Sequence, residues 1–147
     1  MLLILKMLQK LIIDFRKVEQ EVEWLLNGVE MIYLGSCHCE KIKFQIEAKK
    51  IYENIYKCNC TLCKKKSILM KAVHKNFFTL LTGVKFLNSY KWNKRIAEHF
   101  FCNVCGVYTH HKRRRDPNQI CVNFACLENV DLPNNSIIEI VDGASHD

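Results

Sequence analysis

The chain has 147 residues, 49% of them hydrophobic and 25% charged, which suits one globular domain with its own core and excludes a disordered or fibrous polymer. Its formal net charge of +7 favours anionic partners, either small acidic metabolites or nucleic acid. Nine cysteines, an odd number, exclude a scheme in which disulfides account for every thiol.

In chain order, the first element predicted is an amphipathic helix over residues 2–26. Ile4, Leu8, Leu11, Phe15, Val18, Val22 and Leu25 recur at alternating spacings of four and three, with Lys10, Asp14, Lys17 and Glu21 between them. Asn27-Gly28 ends the pattern. Such a helix either lies on the domain's own core or forms a homodimer, since three heptads suffice for a short coiled coil. The apolar start is interrupted by Lys6, Gln9 and Lys10 and precedes no small-residue cleavage site, so it does not read as a signal peptide. No uninterrupted apolar run approaches the roughly 20 residues of a spanning helix. These features predict a cytoplasmic protein without membrane contact, where clustered thiols bind metal more often than they form disulfides. Residues 1–30 are expected to form a helical extension and 31–147 a domain, with Met31 an alternative natural start. The extension carries net −1 and the remainder net +8.

From Met31 the texture changes to short runs of β character. "KIKFQIEA" (41–48) alternates Ile42, Phe44 and Ile46 with polar residues, the period of a half-buried strand. Further strands are predicted within 77–83, 85–93, 97–102, 119–126 and 136–143, bounded by Gly83, Asn93, Gly106, Pro117, Pro133 and Gly143. The fold class is therefore mainly β with an N-terminal helix.

The cysteines fall into groups: Cys37 and Cys39 in "GSCHC", Cys58, Cys60 and Cys63 in "CNCTLC", Cys102 and Cys105 in "CNVCG", and the pair Cys121 and Cys126. Cys37, Cys39, Cys102 and Cys105 together make one closed four-cysteine set, the composition of a structural zinc site. Such a site would staple the first strand to a distant hairpin, and its binding free energy is folding free energy. The triplet supplies three ligands. Either a histidine or another cysteine completes a second structural site, or the three are reactive thiols without metal, or the fourth position is open to water or a substrate thiol, as in catalytic zinc sites. Cys121 and Cys126 read as small buried residues. Lys64, Lys65 and Lys66 follow the triplet, and "HHKRRR" (110–115) forms a second basic cluster. Both read as solvated turns or, if they converge, as a cationic rim that lowers thiol pKa and attracts an anionic substrate.

These motifs, "GSCHC", "CNCTLCKKK", "HFFCNVCGVYTHHKRRRDPNQ", "VNFACLENVD" and the terminal "DGASH", resemble the glutathione-dependent formaldehyde-activating enzyme family, which also includes centromere protein V. The resemblance spans Met31 to His146. It implies tent-like antiparallel sheets stapled by zinc, with two zinc ions per chain. One would be structural on Cys37, Cys39, Cys102 and Cys105, and one catalytic on Cys58, Cys60 and Cys63. It implies a carbon–sulfur lyase-type reaction joining glutathione and formaldehyde as S-hydroxymethylglutathione. Lys64 and Lys65 would then meet the carboxylates of a small thiol such as glutathione, and His110 or His111 would shuttle the proton. Glu40 and Ser67 stand where family members commonly carry glycine, which admits backbone angles these residues resist. The competing reading is a non-catalytic, zinc-stabilised module that binds nucleic acid or protein. No basic tail or RNA-binding signature supports nucleic acid as a partner.

Overall fold

The computed structural model describes residues 30–146, together with Ile12, Asp14, Phe15, Arg16 and Val18. The chain divides between Met31 and Ile32 into two units, and the second carries the β architecture. The five isolated residues have helical backbone, but the predicted N-terminal helix as a whole, and any homodimer formed through it, lie outside the described residues.

The β unit contains two sheets. The smaller has the order β1-β2-β5, formed by Met31–Ser36, Lys43–Ala48 and Phe78–Thr82. The larger runs β10-β3-β4-β9-β8-β7-β6. Its strands are β3 (Ile55–Cys58), β4 (Met70–His74), β6 (Leu87–Tyr90), β7 (Glu98–Cys102), β8 (Tyr108–Lys112), β9 (Gln119–Asn123) and β10 (Glu139–Val141). One short helix, α1 (Thr61–Lys66), links β3 to β4. The resemblance implies antiparallel sheets, and one edge departs from that pattern: β10 pairs with β3 in parallel, Glu139 opposite Tyr56 and Val141 opposite Cys58. A parallel partner needs a long crossover, here the whole chain between residues 58 and 139.

Alternation along the strands separates two environments. In β2, Phe44 and Ile46 are fully buried while Lys43 is exposed. They pack with Ile55, Val73, Ile120, Val122 and Phe124 into the main core. Burial of a side chain such as Phe44 contributes about 1.5–3 kcal/mol. The register across the large sheet aligns Lys71, Val122, His110 and Phe100 in one row, and Ala72, Cys121, His111 and His99 in the next. The first row belongs to the core side, where His110 lies 4.6 Å from the rings of both Phe78 and Phe100. The second row belongs to the opposite side, where α1 and the C-terminal segment border a cavity.

Lys71 is 2% exposed. Its ammonium donates to the carbonyls of Lys50 and Glu53, at 2.9 and 2.5 Å, and so ties the loop after β2 to the large sheet. A buried cation is tolerated where carbonyl oxygens replace its water.

Candidate active site and metal centres

Cys37, Cys39, Cys102 and Cys105 converge with all four sulfurs within 4.8 Å of one another. Each pair sits on a tight turn. In the first, the Cys37 amide donates to Ile42 O and the Ile42 amide donates to the Cys37 sulfur, at 3.1 and 3.4 Å. In the second, the Cys102 amide donates to Val107 O and the Val104 amide to the Cys102 sulfur, at 2.9 and 3.4 Å. The residue after the second cysteine is left-handed in both turns: Glu40 at φ 57° and Gly106 at φ 73°. Tetrahedral zinc with Zn–S bonds of about 2.3 Å places its sulfurs roughly 3.8 Å apart. The Cys37–Cys39 and Cys39–Cys102 sulfur distances are both 3.6 Å, so this donor set fits such an ion. Burial pushes the Cys37 thiol up to about 12. Cys105 falls to about 6, because amide hydrogen bonds from Cys39 and Val107 outweigh burial.

The triplet is a second cluster, with the sulfurs of Cys58, Cys60 and Cys63 within 4.8 Å of one another. No fourth His, Cys, Asp or Glu joins it among the described residues. Helix α1 holds two of the three. Cys60 is its N-cap, its sulfur accepting from the Cys63 amide at 3.4 Å, and Ser67 closes the helix in the left-handed conformation at φ 51°. The three lysines of the last turn suit the negative end of the helix dipole. The Cys63 thiol hydrogen-bonds to the Cys58 sulfur, and chiefly for this reason Cys58 falls to about 5 while Cys63 rises. Burial raises Cys60. One sulfur thus holds its negative charge most readily, stabilised by its neighbours and by the amides of Cys60 and Gly143.

The triplet opens onto a cavity of about 130 Å³. Tyr56 and Met70 line it from the sheet, Trp92 and Ile96 from the β6–β7 connection, and Gly143 and His146 from the C-terminal segment. Arg113, Arg114 and Arg115 also line it, as does Lys94. Arg113 is fixed by the Gln119 side chain at 2.5 Å and lies 5.2 Å above the Tyr56 ring. Arg115 donates to Asp142 O at 3.2 Å.

The positions of the predicted residues divide sharply. His111 lines the cavity, stacked on His99 at 4.8 Å and hydrogen-bonded through Nδ1 to the Tyr108 hydroxyl. Burial holds its pKa well below 6.5, so the ring is neutral at physiological pH. His110 is on the other side of β8, bonded to Thr109 Oγ1 at 3.0 Å and packed in the core, and burial lowers it to about 4. The expected solvated turn at 110–111 is instead a buried central strand, because β7 and β9 flank it on both edges. Lys64 and Lys65 are exposed on α1 and are not among the residues that line the cavity. Lys66 lies 4.5 Å over the Tyr108 ring. The cationic lining comes from the arginine run and Lys94, and of the lysine cluster only the charge of Lys66 reaches the cavity residues His99 and His111, so the two basic clusters converge only in part. Cys121 and Cys126 are buried, as expected for small core residues, although Cys121 also touches the cavity beside His111.

Sequence reasoning overlooked His99. It is 4% exposed and lines the cavity, and its buried Nδ1 has no hydrogen-bond partner among the described residues. Burial, helped by the charge of Lys66, lowers it to about 4. The only sequence signal was its place in "AEHFFC", three residues before a cysteine.

Among the described residues, no helix is long and apolar enough to cross a membrane. In structural comparison the chain is similar to a Rhodobacter sphaeroides protein known from its crystal structure. The two share 29% sequence identity at a TM-score of 0.68, over 74% of this chain and 99% of that one. The family described as glutathione-dependent formaldehyde-activating enzyme matches residues 32–140. With both cysteine sets inside that span and the cavity built around one of them, the chain belongs to the glutathione-dependent formaldehyde-activating enzyme family.

Proposed function

We propose that this chain catalyses the reversible addition of a small carboxylate-bearing thiol, of the glutathione type, to formaldehyde or a similar small electrophile. A C–S bond forms at the carbonyl carbon, and the thiol proton ends on the former carbonyl oxygen. The observation that carries this reading is a three-thiol cluster without a fourth protein ligand among the described residues, opening into a cavity lined by Arg113, Arg114 and Arg115.

Cys58, Cys60 and Cys63 would hold a catalytic zinc, and Cys37, Cys39, Cys102 and Cys105 a structural one. Bound at the triplet, zinc supplies Lewis acidity and favours the thiolate form of a thiol substrate. The arginines bind the substrate's carboxylates, Arg114 and Lys94 through charge and Arg113 in the orientation set by Gln119. Trp92, Met70 and Ile96 exclude water from the reacting atoms. Neutral His111 carries the proton between sulfur and oxygen at Nε2, while the Tyr108 hydroxyl on Nδ1 fixes the ring. His99 stacks against it and keeps the ring plane in place. His110 is left to the core, and Lys64 and Lys65 to long-range attraction of the anion.

Exchange spectroscopy by NMR tests the reading, with glutathione and ¹³C-formaldehyde at equilibrium with their adduct. The expected result is faster interconversion with the zinc-loaded chain than in buffer, and loss of the increment in Cys60→Ser. An unchanged exchange rate in Cys60→Ser, with both metals still bound, rejects it.

A further inference from the structure

Asn59 sits between two thiols of the triplet, and spacing alone places no demand on it, since any residue separates Cys58 from Cys60. Its side chain is exposed, yet every polar group it owns is committed to one segment. Its amide donates to Val141 O at 3.1 Å. Its Oδ1 accepts from the amides of Gly143 and Ala144, both at 2.8 Å, and its Nδ2 donates to Asp142 Oδ1 at 3.1 Å. One asparagine therefore binds four consecutive residues at the end of the chain.

We infer that Asn59 is the positioning residue of the triplet, clamping segment 141–146 onto the Cys58–Cys63 loop and so fixing where the Cys58 and Cys60 sulfurs stand; the inference rests on the reading of this cluster as a metal-holding site.

Three observations tie the clamp to the sulfurs. The clamped segment passes so close that a Cβ on Gly143 would lie 2.4 Å from the Cys58 sulfur and 2.9 Å from Cys60 Cβ. The segment is held at its other points by residues of the cavity wall, Arg115 donating to Asp142 O at 3.2 Å and Asn93 to His146 O at 2.6 Å. Finally, β10 reaches this place as the parallel edge partner of β3, which ends at Cys58, so sheet pairing and the asparagine clamp act on the same sulfur-bearing turn. Without Asn59 the segment keeps its three-residue strand pairing but loses the contacts that press Gly143 against the cluster. Alanine keeps the backbone bond to Val141 O and loses the three side-chain bonds to Asp142, Gly143 and Ala144. Aspartate keeps the acceptor for Gly143 and Ala144, but it cannot donate to Asp142 and sets a second carboxylate beside it.

The test is a cobalt(II) titration of the reduced full-length chain, read through thiolate-to-cobalt charge-transfer absorption and the d–d bands. The wild type is expected to take two equivalents. Asn59→Ala should bind one of them with unchanged affinity and spectrum, and the other about 10–100-fold more weakly with an altered d–d envelope, the scale seen when residues that orient a metal's ligands are removed. Asn59→Asp should recover part of the lost affinity. Two equivalents at wild-type affinity and spectrum in Asn59→Ala overturn the inference. Loss of both equivalents also overturns it, because it shows a general folding role. A wild-type chain that takes one equivalent rejects the triplet as a metal site, and the role of Asn59 with it, and the wild-type stoichiometry alone reveals that case.

Discussion

Gly143 is the position where a single methyl group should separate the two cysteine clusters. An ideal Cβ there meets the Cys58 sulfur at 2.4 Å and Cys60 Cβ at 2.9 Å. Ordinary contacts between such atoms lie at about 3.5–4.0 Å, so Gly143→Ala requires the sulfur or the C-terminal segment to move by about 1 Å. Four hydrogen bonds from Asn59 resist movement of the segment, so much of the displacement falls on Cys58. A metal site tolerates deviations of about 0.2 Å in its ligand distances. Overpacking of this kind costs about 1–3 kcal/mol, which corresponds to roughly 5- to 150-fold in affinity when it falls on the bound state. Native mass spectrometry with chelator competition should show one zinc held as in the wild type and one released readily. Gly106→Ala is the contrasting variant. Its Cβ meets nothing within 4 Å, but φ is +73°, so it strains the hairpin of the four-cysteine set and leaves the triplet alone. Retention of both zincs at wild-type affinity in Gly143→Ala would refute the reasoning, since the clash would then be relieved without disturbing the sulfurs.

Ser67→Gly should raise stability by about 1 kcal/mol in urea unfolding, because a left-handed C-cap strains serine and not glycine, and Glu40→Gly should do the same. A loss of stability in both would show that the side chains, not the backbone angles, matter there. Lys71 is held down to about 8 by burial, so between pH 8 and about 10.5 the unfolded chain binds more protons than the folded one. Stability therefore rises with pH across that window, by up to about 3 kcal/mol relative to Lys71→Met, whose curve lacks this contribution. A pH-independent difference between the two chains would show that Lys71 titrates normally. His111→Ala should lower the thiol–aldehyde exchange rate about 100-fold, whereas His110→Leu should change the melting temperature and leave the rate within a factor of two. Equal rate losses in both would remove the assignment of the proton to His111.

The parts legible in the sequence were those whose signal is local. Phe44 and Ile46 alternate with polar neighbours, and β2 forms with those two residues inward. Strands also lie in the other predicted runs, at β5, β6, β7, β9 and β10. The strands outside the predicted runs are β1, at the edge of the small sheet, and β3, β4 and β8, which form much of the middle of the large one. "MKAVH" and "YTHHK" carry lysine and histidines where a buried strand would ordinarily carry valine or isoleucine. Lys71 is admissible there only because Lys50 and Glu53 bring carbonyls to it, and His110 only because Thr109 and three aromatic rings surround it. The two carbonyls and the three rings come from separate strands or loops, and no period in the sequence announces them. Helix α1 is hidden for another reason: six residues are too few for a helical repeat, and its limits are set by a cysteine sulfur at one end and a left-handed serine at the other.

The candidate site shows the same divide. Cysteine spacing sorts seven thiols into a set of four and a set of three, and the structure assembles those two groups. The run "HHKRRR", in contrast, reads as a single basic feature, and the fold divides it between the core and the cavity. Strand geometry sends neighbouring side chains to opposite faces, so His111 enters the cavity and His110 the core. The strand ends at Lys112, after which alternation no longer applies, and Arg113, Arg114 and Arg115 all reach the same cavity. What decides the chemistry of each residue is therefore its parity and its distance from the end of β8. Both quantities depend on where β7 and β9 pair with it, at His99 and Cys121; in the sequence His99 is marked only by standing three residues before a cysteine, and Cys121 reads as a small buried residue. The same pairing places the two on either side of His111, so the register that hid the site from the sequence is also what builds it.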